Sequence, residues 1–549
     1  MKTKILLSII ICLTYAVQVN SQNWLWAKQA GGSYYDYLYG SCQDQNNNTY
    51  IAGQFFSDTC YFDTIKLYCI GCSSAMSGKA FLAKYNSNGA LQWAKSFGDW
   101  HSFGGPIAYD AYSNSLYIGG CFNGTCNFGC DTLTATGNYS AFLTKLDVSG
   151  NCLWSKKVGG SGSSASCVSQ LTVTQYGEVI ASFVNNAAMY FDTIFVDRGC
   201  ILTKYDGNGN CLWAKKKFDY VNLGINGYNF TGHISKLHAH NDEIFAVGFS
   251  RVDSFVLDTI AVQMNLSNRQ SFIIKFDSSG ISERIKTQGG YSSYLSVDGF
   301  GNIYLTGSYK DTAVFETDTL FNANPDMFIA KYDSSFNLKW KFSGNSSNRS
   351  SSGGLSFINS DKEFYVAGSF TGTNSFGAYT LNSISPDGDM FFARYDSSGN
   401  CIGIRHVGNA QGGNVFTDAN QSVYLSGDFF NSASFGSTQL TSLGGGNIFV
   451  AKSTAITGIG DVQRKSNNQL IIYANPTTGK CNVTVPDDFL NEKNLLLSIF
   501  DNSGKMIQQK SLEMNGDKIK LNLEAEAKGV YNISLSNGRK SYSGKIVFQ

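Results

Sequence analysis

A six-residue phrase returns along this chain at an almost constant spacing. It reads YIAGQF from Tyr50, YIGGCF from Tyr117, VIASFV from Val179, FAVGFS from Phe245, YLTGSY from Tyr304, YVAGSF from Tyr365 and YLSGDF from Tyr424. Its central position is residue 53, 120, 182, 248, 307, 368 and 427, which gives a mean period of about 62 residues. Self-similarity at a fixed period is the signature of a repeat architecture.

A second phrase follows the first one in every repeat. Full copies run from Phe81, Phe142, Ile201, Phe272, Phe328 and Phe391, and the first of them reads FLAKYNSNGALQWAK. The seventh copy, IFVAKST from Ile448, stops halfway, and its missing half, WAKQAGG, stands at Trp26. A ring of repeats has to be closed, and a split repeat closes it by joining the two ends of the array.

The alternation of apolar and polar residues predicts four short strands in each repeat. Segments such as DGFGN, residues 298–302, predict tight turns between the strands, because Gly and Asn tolerate positive φ. One such sheet cannot bury both of its faces, whereas seven sheets packed around an axis can. We therefore predict an all-β fold: a seven-bladed β-propeller over residues 22–455, closed by the N-terminal strand, and a small C-terminal β-sandwich.

The two phrases together resemble the bacterial seven-bladed β-propeller repeat (SBBP-type) family. Its units read D-x-x-G-N-x-Y-x-x-G and then F-x-x-K-Y-D-x-x-G-N-x-x-W, and the resemblance covers residues 22–455. Arg284 and Gly403 stand where the family has tryptophan. We expect the outer packing of those two blades to differ from that of the others.

The two ends of the chain predict export. Residues 1–21 have the charged start, the apolar stretch and the small-residue end of a signal peptide. The alternative, a membrane anchor, would need about 20 apolar residues, and this stretch is shorter. No later segment is apolar enough to span a membrane.

After the last repeat, residues 456–468 have the composition of a linker, and residues 469–549 resemble the type A C-terminal sorting domain of the type IX secretion system. The matching segments are Asn475-Pro476, Phe500-Asp501 with Gly504-Lys505, Lys528 to Tyr531, and Lys545 to Val547. The resemblance implies recognition by the secretion machinery, followed by attachment to surface lipopolysaccharide or by release. The alternative is an accessory β-sandwich with a binding role.

Charge and cysteine usage agree with an exported protein. The formal net charge is +1, which gives no reason to expect a nucleic-acid partner. Of the 14 cysteines, Cys12 lies in the predicted signal peptide, and an odd remainder leaves at least one thiol unpaired within the chain. Cys69-x-x-Cys72 and Cys126-x-x-x-Cys130 could hold zinc, but export favours disulfides. The spacing does not determine which cysteines pair.

A search for catalytic or metal-binding patterns yields two weak candidates. His238 and His240 would share one face of a strand, with His233 nearby, as a metal site would require; the alternative is a solvated hairpin. The segment 206–210, DGNGN, imitates a calcium loop, but Cys211 and Lys217 stand where the loop needs Gly and Glu. We therefore predict no catalytic, cofactor-binding or metal-binding residues and no cofactor.

Two repeated features have alternative interpretations. One repeat position holds a cation in six repeats: Lys28, Lys95, Lys156, Lys215, Lys286 and Arg405. These residues could form a ring that binds acidic glycans, or they could lie on exposed edge strands and prevent edge-to-edge pairing. The repeated Phe and Tyr residues are either core between blades or a platform on which sugars stack. We favour the edge lysines and the core.

Long segments between the second and third strands of each repeat should emerge on one rim of the ring. Variable loops on a rigid scaffold are where recognition usually resides. We predict a non-enzymatic secreted or cell-surface propeller that binds a glycan or a protein through this rim. The alternatives are a polysaccharide lyase or hydrolase with acidic residues in the central channel, and a surface scaffold without a specific ligand.

Overall fold

The computed structural model is all β, as predicted, with no α-helix among the residues that it describes. These residues are 24–72, 78–99, 101–158, 166–220, 231–265, 270–358, 362–456, 470–473, 477–486, 489, 494–501, 505–512, 518–537 and 541–549. The predicted signal peptide and residues 457–468 of the predicted linker lie outside them. Within these ranges, no helix has the length and apolarity that crossing a membrane requires.

The chain divides into two compact units, residues 1–462 and residues 463–549. In the described part of the first unit, antiparallel strands form seven successive sheets of four strands. The last of these sheets contains β1 (Trp24–Gly31).

Sheets 1 to 3 follow the chain without interruption. They contain β2 (Asp36–Gln43), β3 (Thr49–Phe55), β6 (Lys79–Tyr85) and β7 (Leu91–Phe97); β8 (Ser102–Asp110), β9 (Ser115–Phe122), β12 (Ser140–Asp147) and β13 (Cys152–Val158); and β14 (Ser166–Val173), β15 (Val179–Asn185), β18 (Gly199–Tyr205) and β19 (Cys211–Asp219).

Sheets 4 to 7 repeat the same order. They contain β20 (Gly232–His240), β21 (Glu243–Ser250), β24 (Ser271–Phe276) and β25 (Ser282–Gln288); β26 (Tyr291–Val297), β27 (Ile303–Phe315), β28 (Asp318–Tyr332) and β29 (Leu338–Ser343); β30 (Arg349–Ile358), β31 (Glu363–Thr371), β34 (Asp389–Asp396) and β35 (Cys401–Gly408); and β36 (Ala410–Thr417), β37 (Val423–Phe435), β38 (Thr438–Ser453) and β1.

The long segments between the second and third strands form hairpins. In sheets 5 and 7 the second and third strands simply extend into them. The separate pairs are β10 (Thr125–Asn127) with β11 (Thr132–Thr134), β16 (Met189–Phe191) with β17 (Ile194–Val196), β22 (Ser254–Leu257) with β23 (Ile260–Gln263), and β32 (Thr373–Phe376) with β33 (Tyr379–Asn382). The hairpin of sheet 1, β4 (Thr59–Phe62) with β5 (Ile65–Tyr68), also pairs with β1 and so extends sheet 7 to six strands. Because they all connect the same two strands, they lie at the same end of their sheets, here called the hairpin rim.

The N-terminal strand completes sheet 7. In the antiparallel pairing of β1 with β38, Trp26 lies opposite Lys452 and Gln29 opposite Phe449. The first strand of each sheet contacts the first strand of the next one, and β36 of sheet 7 contacts β2 of sheet 1. The two ends of the first unit therefore meet, as the split seventh repeat predicts.

The core lies between successive sheets and is built from the repeated aromatic positions. Tyr50, Tyr117, Tyr304, Tyr365 and Tyr424, which open five of the repeated phrases, are all fully buried. One cluster joins Tyr117 of sheet 2 to Leu171 and Phe183 of sheet 3. The prediction that the repeated aromatic residues form the core between blades is thus confirmed for these tyrosines.

The turns opposite the hairpin rim use one side-chain device. In the turn between β12 and β13, one oxygen of Asp147 accepts the N–H groups of Ser149 and Asn151, and the other accepts the Asn151 amide. An aspartate that bonds backbone two residues onward stabilises a tight turn locally. The same two bonds, from the N–H and the side-chain amide of the Asn four residues onward, are accepted by Asp206, Asp298, Asp333 and Asp396.

The outer strand of one sheet is joined to the next sheet by tryptophan. Trp93 Nε1 of sheet 1 donates to the Val148 carbonyl of sheet 2 at 3.3 Å, and the ring covers Gly150, where a Cβ would come within 3.0 Å of it. The same pairing of ring, turn carbonyl and turn glycine occurs for Trp26 with Ser87 and Gly89, Trp154 with Gly207 and Gly209, Trp213 with Ser278 and Gly280, and Trp340 with Ser397 and Gly399.

The two departures from tryptophan have different explanations. Arg284 of sheet 4 makes the same bond, to the Ser334 carbonyl, and its glycine is replaced by Phe336. Gly403 of sheet 6 faces sheet 7, whose third and fourth strands come from opposite ends of the chain and have no turn between them. There Arg405 donates instead to the Thr454 and Ala455 carbonyls, at 2.9 and 3.1 Å.

The second unit contains two antiparallel sheets. They are β39 (Ile471–Tyr473), β40 (Lys480–Thr484) and β43 (Lys518–Asn522), and β41 (Leu495–Phe500), β42 (Met506–Leu512), β44 (Gly529–Ser536) and β45 (Ser541–Phe548). Val483 of the first sheet and Ile499 and Ile533 of the second belong to one buried apolar cluster.

Candidate functional site

Every first strand carries a β-bulge near its middle. The strand-to-strand register shifts between Leu38 and Gly40, and at the corresponding place in each of the other six sheets. The bulged residues are Tyr39, Gly105 with Pro106, Ser169, Ser235, Ser293, Gly353 with Gly354, and Gly413. Because all but Tyr39 and Pro106 are Gly or Ser, the innermost strands leave space where they converge.

That space includes a cavity of about 490 Å³ lined by the first strands of sheets 1 to 4 and by Asn414 of sheet 7. Its ionisable lining residues are Tyr39, His233 and Lys236, beside the disulfide between Cys121 and Cys167. Burial and the charge of Arg251 lower the pKa of His233 to about 4. No carboxylate lines this cavity among the described residues. The cavity walls therefore do not supply the paired carboxylates that glycoside hydrolysis uses.

Three tyrosines follow β2 from the hairpin rim to the cavity. Tyr35, Tyr37 and Tyr39 are 46%, 37% and 48% exposed, unlike the buried tyrosines of the repeats. Tyr35 comes directly before β2, Tyr37 lies on the strand and Tyr39 is its bulged residue, so the three exposed side chains follow one another along this segment and form one stripe. We call Tyr35 and Tyr37 the tyrosine platform; their rings are parallel within 8°, with centroids 6.2 Å apart.

Neighbouring groups hold the platform in place. A Cβ on Gly445 of β38 would come within 2.9 Å of the Tyr35 ring, so the ring lies directly over that glycine. The ring of Phe56 meets Tyr37 edge to face at 5.9 Å, and Tyr34 meets Tyr35 in the same way. The platform therefore spans the junction of sheets 7 and 1.

Two carboxylates lie beside the platform with different degrees of burial. Asp36 is fully buried and accepts the N–H groups of Gly32 and Phe56 and the amide of Asn447. Burial raises its pKa to about 6, against the effect of these bonds. Asp428 is half-buried and accepts the N–H of Leu38 at 3.1 Å. Burial, with a smaller contribution from the charge of Asp36, raises the pKa of Asp428 to about 7.

A small polar pocket of about 80 Å³ opens nearby in sheets 6 and 7. It is lined by Arg349, Ser351, Ser369, Asp387 and Gln411, among others. Gln411 lies opposite Asp428 in the pairing of β36 with β37. The polar pocket and the tyrosine platform are therefore linked through one strand pair.

The structure separates His233 from the other two histidines considered for a metal site, whereas the rings of His238 and His240 remain 6.5 Å apart. His233 lies near the start of β20 and lines the cavity, whereas His238 and His240 lie at the opposite end of the strand. Burial lowers the pKa of His238 to about 3. The described residues contain no group of three His, Cys, Asp or Glu side chains that could hold a metal ion.

The segment that imitates a calcium loop forms a turn instead. Both oxygens of Asp206 accept bonds from Asn208 and Asn210 within the turn between β18 and β19.

Six cysteines form disulfides, as export favours. The pairs are Cys69 with Cys72, Cys121 with Cys167, and Cys130 with Cys152. Seven others are unpaired: Cys42, Cys60, Cys126, Cys200, Cys211, Cys401 and Cys481. Cys121 and Cys167 join sheet 2 to sheet 3.

Three of the repeated lysines bind carboxylates on the following sheet. Lys156 on the outer strand of sheet 2 pairs with Asp192 at the tip of the sheet 3 hairpin, 3.3 Å away. Lys28 pairs with Asp63, and Lys286 with Glu316, across the equivalent junctions. This use of the lysines, as links between sheets, is neither of the two interpretations that the sequence suggested.

The sequence contains a signal for the platform that its repeats obscure. Tyr34, Tyr35, Tyr37 and Tyr39 fall within six residues, and the last three alternate in step with a strand. Alternation predicts a shared face, but it reveals neither the bulge at Tyr39 nor whether the next sheet covers that face.

The family model for the secretion system C-terminal sorting domain matches residues 471–549. In the described part of this unit, Asp501 and Lys505 close the turn from β41 to β42 through two mutual bonds. Asn475, Pro476 and Gly504 of the resemblance lie outside the described residues.

No curated protein matches the sequence. Similar solved structures include a Dos1 propeller, with 9% identity and a TM-score of 0.39 over 77% of this chain and 95% of that chain. Others are the polysaccharide lyase Uly1 (10%, TM-score 0.37, 78% and 90%) and a protein of unknown function from Bacteroides caccae (9%, TM-score 0.34, 59% and 89%). At these scores the structural similarity carries no argument about function.

The family match and the strand segments of the second unit lead to one conclusion. Residues 471–549 are a C-terminal sorting domain of the type IX secretion system, and the protein is exported to become a secreted or outer-membrane surface-attached protein.

Proposed function

We propose that this protein is a non-enzymatic, SBBP-type seven-bladed β-propeller that the type IX secretion machinery exports and that binds a glycan or a protein through its hairpin rim. Residues 22–455 form the propeller, residues 456–468 the linker and residues 469–549 the sorting domain. The seven sheets, the pairing of β1 with β38 and the contact of β36 with β2 support this closed arrangement.

The observation that carries the binding role is the exposure of the tyrosine stripe beside the central cavity. A large exposed aromatic side chain loses the stabilisation that burial would give it, so a continuous stripe of them marks an interaction site. Tyr35, Tyr37 and Tyr39 form such a stripe where the hairpin rim meets the cavity. Lipopolysaccharide is one glycan that a surface-attached protein would meet there.

One observation favours the second candidate, a polysaccharide-active enzyme. Asp428 has a pKa of about 7 and lies beside the platform, and a carboxyl group with a raised pKa is the usual general acid of glycoside cleavage. The neighbouring carboxylate, Asp36, is fully buried and accepts bonds from the backbone N–H groups of Gly32 and Phe56. Asp428 therefore lacks an accessible carboxylate partner among the described residues of the platform.

The two candidates are separated by incubating the purified protein with a panel of polysaccharides and with surface lipopolysaccharide. Retention without new reducing ends or unsaturated products is the expected result. Turnover that Asp428→Asn abolishes would establish the enzyme instead. A protein that retains no glycan, and that captures no surface protein after cross-linking on intact cells, is a scaffold.

A further inference from the structure

We propose, resting on the binding function above, that the ligand is a carbohydrate chain and that the tyrosine platform is its principal subsite. Pyranose rings stack on Tyr35 and Tyr37, and their hydroxyl groups bond to Asp428 and Gln411.

The platform offers exposed aromatic surface on which a sugar can stack. Its two rings are parallel and a third to a half exposed, and their other contacts fix them from the side and from below. A tyrosine has only two main rotatable bonds, so an already fixed ring loses little conformational entropy when a ligand binds. The apolar C–H face of a pyranose can cover such a ring while its hydroxyl groups stay in the ring plane.

Two polar side chains, Asp428 and Gln411, lie near the platform. Asp428 uses one carboxylate oxygen for the Leu38 N–H, and its second oxygen has no hydrogen-bond partner among the described residues. Gln411 is exposed on the neighbouring strand, opposite Asp428. The Asp428 carboxylate lies close to Tyr37 along the chain, because it accepts the N–H of the next residue, Leu38. Burial, to which the charge of Asp428 adds, raises the pKa of Tyr37.

These features favour a carbohydrate over a protein partner. A protein interface core is depleted in charged residues, whereas a half-buried carboxylate lies beside this platform. A sugar combines an apolar face with several hydroxyl donors, so it can satisfy the carboxylate oxygen and cover the rings at once. Tyr39 continues the stripe into the cavity, so a chain has a path beyond the platform.

The test measures binding of soluble cellohexaose, chitohexaose, laminarin oligosaccharides and alginate oligosaccharides to the full-length protein by isothermal titration calorimetry. For any saccharide bound, Tyr35→Ala and Tyr37→Ala are expected to weaken the Kd at least tenfold. Tyr35→Phe and Tyr37→Phe keep the rings and are expected to stay within about threefold. The matched control is Tyr190→Ala with Phe195→Ala, an exposed aromatic pair on the sheet 3 hairpin, 65% and 58% exposed.

The outcomes separate this inference from the proposed function. Equal binding by the platform and control variants would overturn the platform as subsite and leave glycan binding in place. If the protein binds none of the four saccharides and a surface protein is cross-linked through this rim, carbohydrate is overturned as the ligand class. Saturation-transfer NMR on the wild-type protein adds a readout that needs no variant, because stacking transfers magnetisation to the C–H protons of the sugar.

Discussion

The guanidinium of Arg284 lies 5.6 Å from the centroid of the Phe336 ring and donates to the carbonyl of Ser334, two residues earlier. At the five other junctions of this kind, the same two positions hold tryptophan and glycine. The large ring has therefore moved from the outer strand of one sheet to the turn of the next, and the contact between the sheets is retained.

This exchange predicts strong coupling between the two positions. Arg284→Trp alone places two large rings where one fits, and overpacking of this kind costs about 1–3 kcal/mol. Phe336→Gly alone removes a side chain that is 2% exposed and should also destabilise the protein, although φ of 65° favours glycine there. The double variant recreates the common pair and should recover most of the loss in urea denaturation. Additive effects of the two substitutions would contradict the exchange.

The first strand should contribute to stability through Trp26. Trp26→Ala removes the bond to Ser87 and the packing on Gly89 and Tyr424, and we expect a loss of about 2–3 kcal/mol. Leu25→Ala, on the same strand but 52% exposed, is the control and should change stability by about 0.5 kcal/mol or less. Thermal unfolding of the two variants measures the difference, and equal midpoints would show that β1 does not close sheet 7.

The ion pairs between sheets should differ in strength with burial. The side chain of Lys217 is fully buried and lies 2.8 Å from Asp258, whereas the Lys156 pair with Asp192 is about one-third exposed on both sides. Both aspartates have positive φ, and asparagine also tolerates this conformation. Replacing each aspartate by asparagine therefore removes the negative charge without adding backbone strain. We expect Asp258→Asn to cost about 2–4 kcal/mol and Asp192→Asn less than about 1 kcal/mol.

These two variants are compared by urea denaturation at pH 7. The hydrogen bonds from Lys217 and Ser282 outweigh burial and hold the pKa of Asp258 below its usual value. The stabilisation by Asp258 is therefore present above the pKa of the unfolded chain and is lost as the pH falls through the lower folded pKa. A difference between the variants that persists below that value would contradict the ionic origin.

The raised pKa of Asp428 predicts the opposite pH dependence. The unfolded carboxyl ionises near pH 3.8, and the folded one retains its proton up to about pH 7, so the folded state binds more protons between these values. The free energy of unfolding should therefore fall as the pH rises from about 4 to 7. We expect Asp428→Asn to remove on the order of 1–2 kcal/mol of this fall.

Urea denaturation of the wild-type protein and of this variant at pH 5, 6.5 and 8 measures the effect. Asp387→Asn, an exposed substitution in the neighbouring polar pocket, is the control and should leave the pH profile unchanged. A wild-type profile that rises over this range, or one that the variant reproduces, would contradict the prediction.

Local pattern was sufficient for the strands and the turns, whereas the role of the sorting domain came from the resemblance to a known family. The alternation around Tyr50 and the aspartate turn at Asp147 depend on neighbours within a few residues, and such short-range preferences can be deduced from one sequence. The split seventh repeat also predicted correctly that the strand of Trp26 pairs with the strand of Phe449. The missing half of that repeat can be recognised by comparing the sequence with itself.

The candidate site and the links between sheets depended on tertiary structure. Lys156 meets Asp192, Arg284 meets Phe336, and Tyr35 lies over Gly445, and each partner is dozens to hundreds of residues away in the chain. The sequence alone determined that this protein is a series of similar β units followed by a secretion sorting domain. Only the packing of one sheet on the next decided which lysines are neutralised, which rings are covered and which stay open to a ligand, because burial is a property of the neighbours that a side chain acquires on folding.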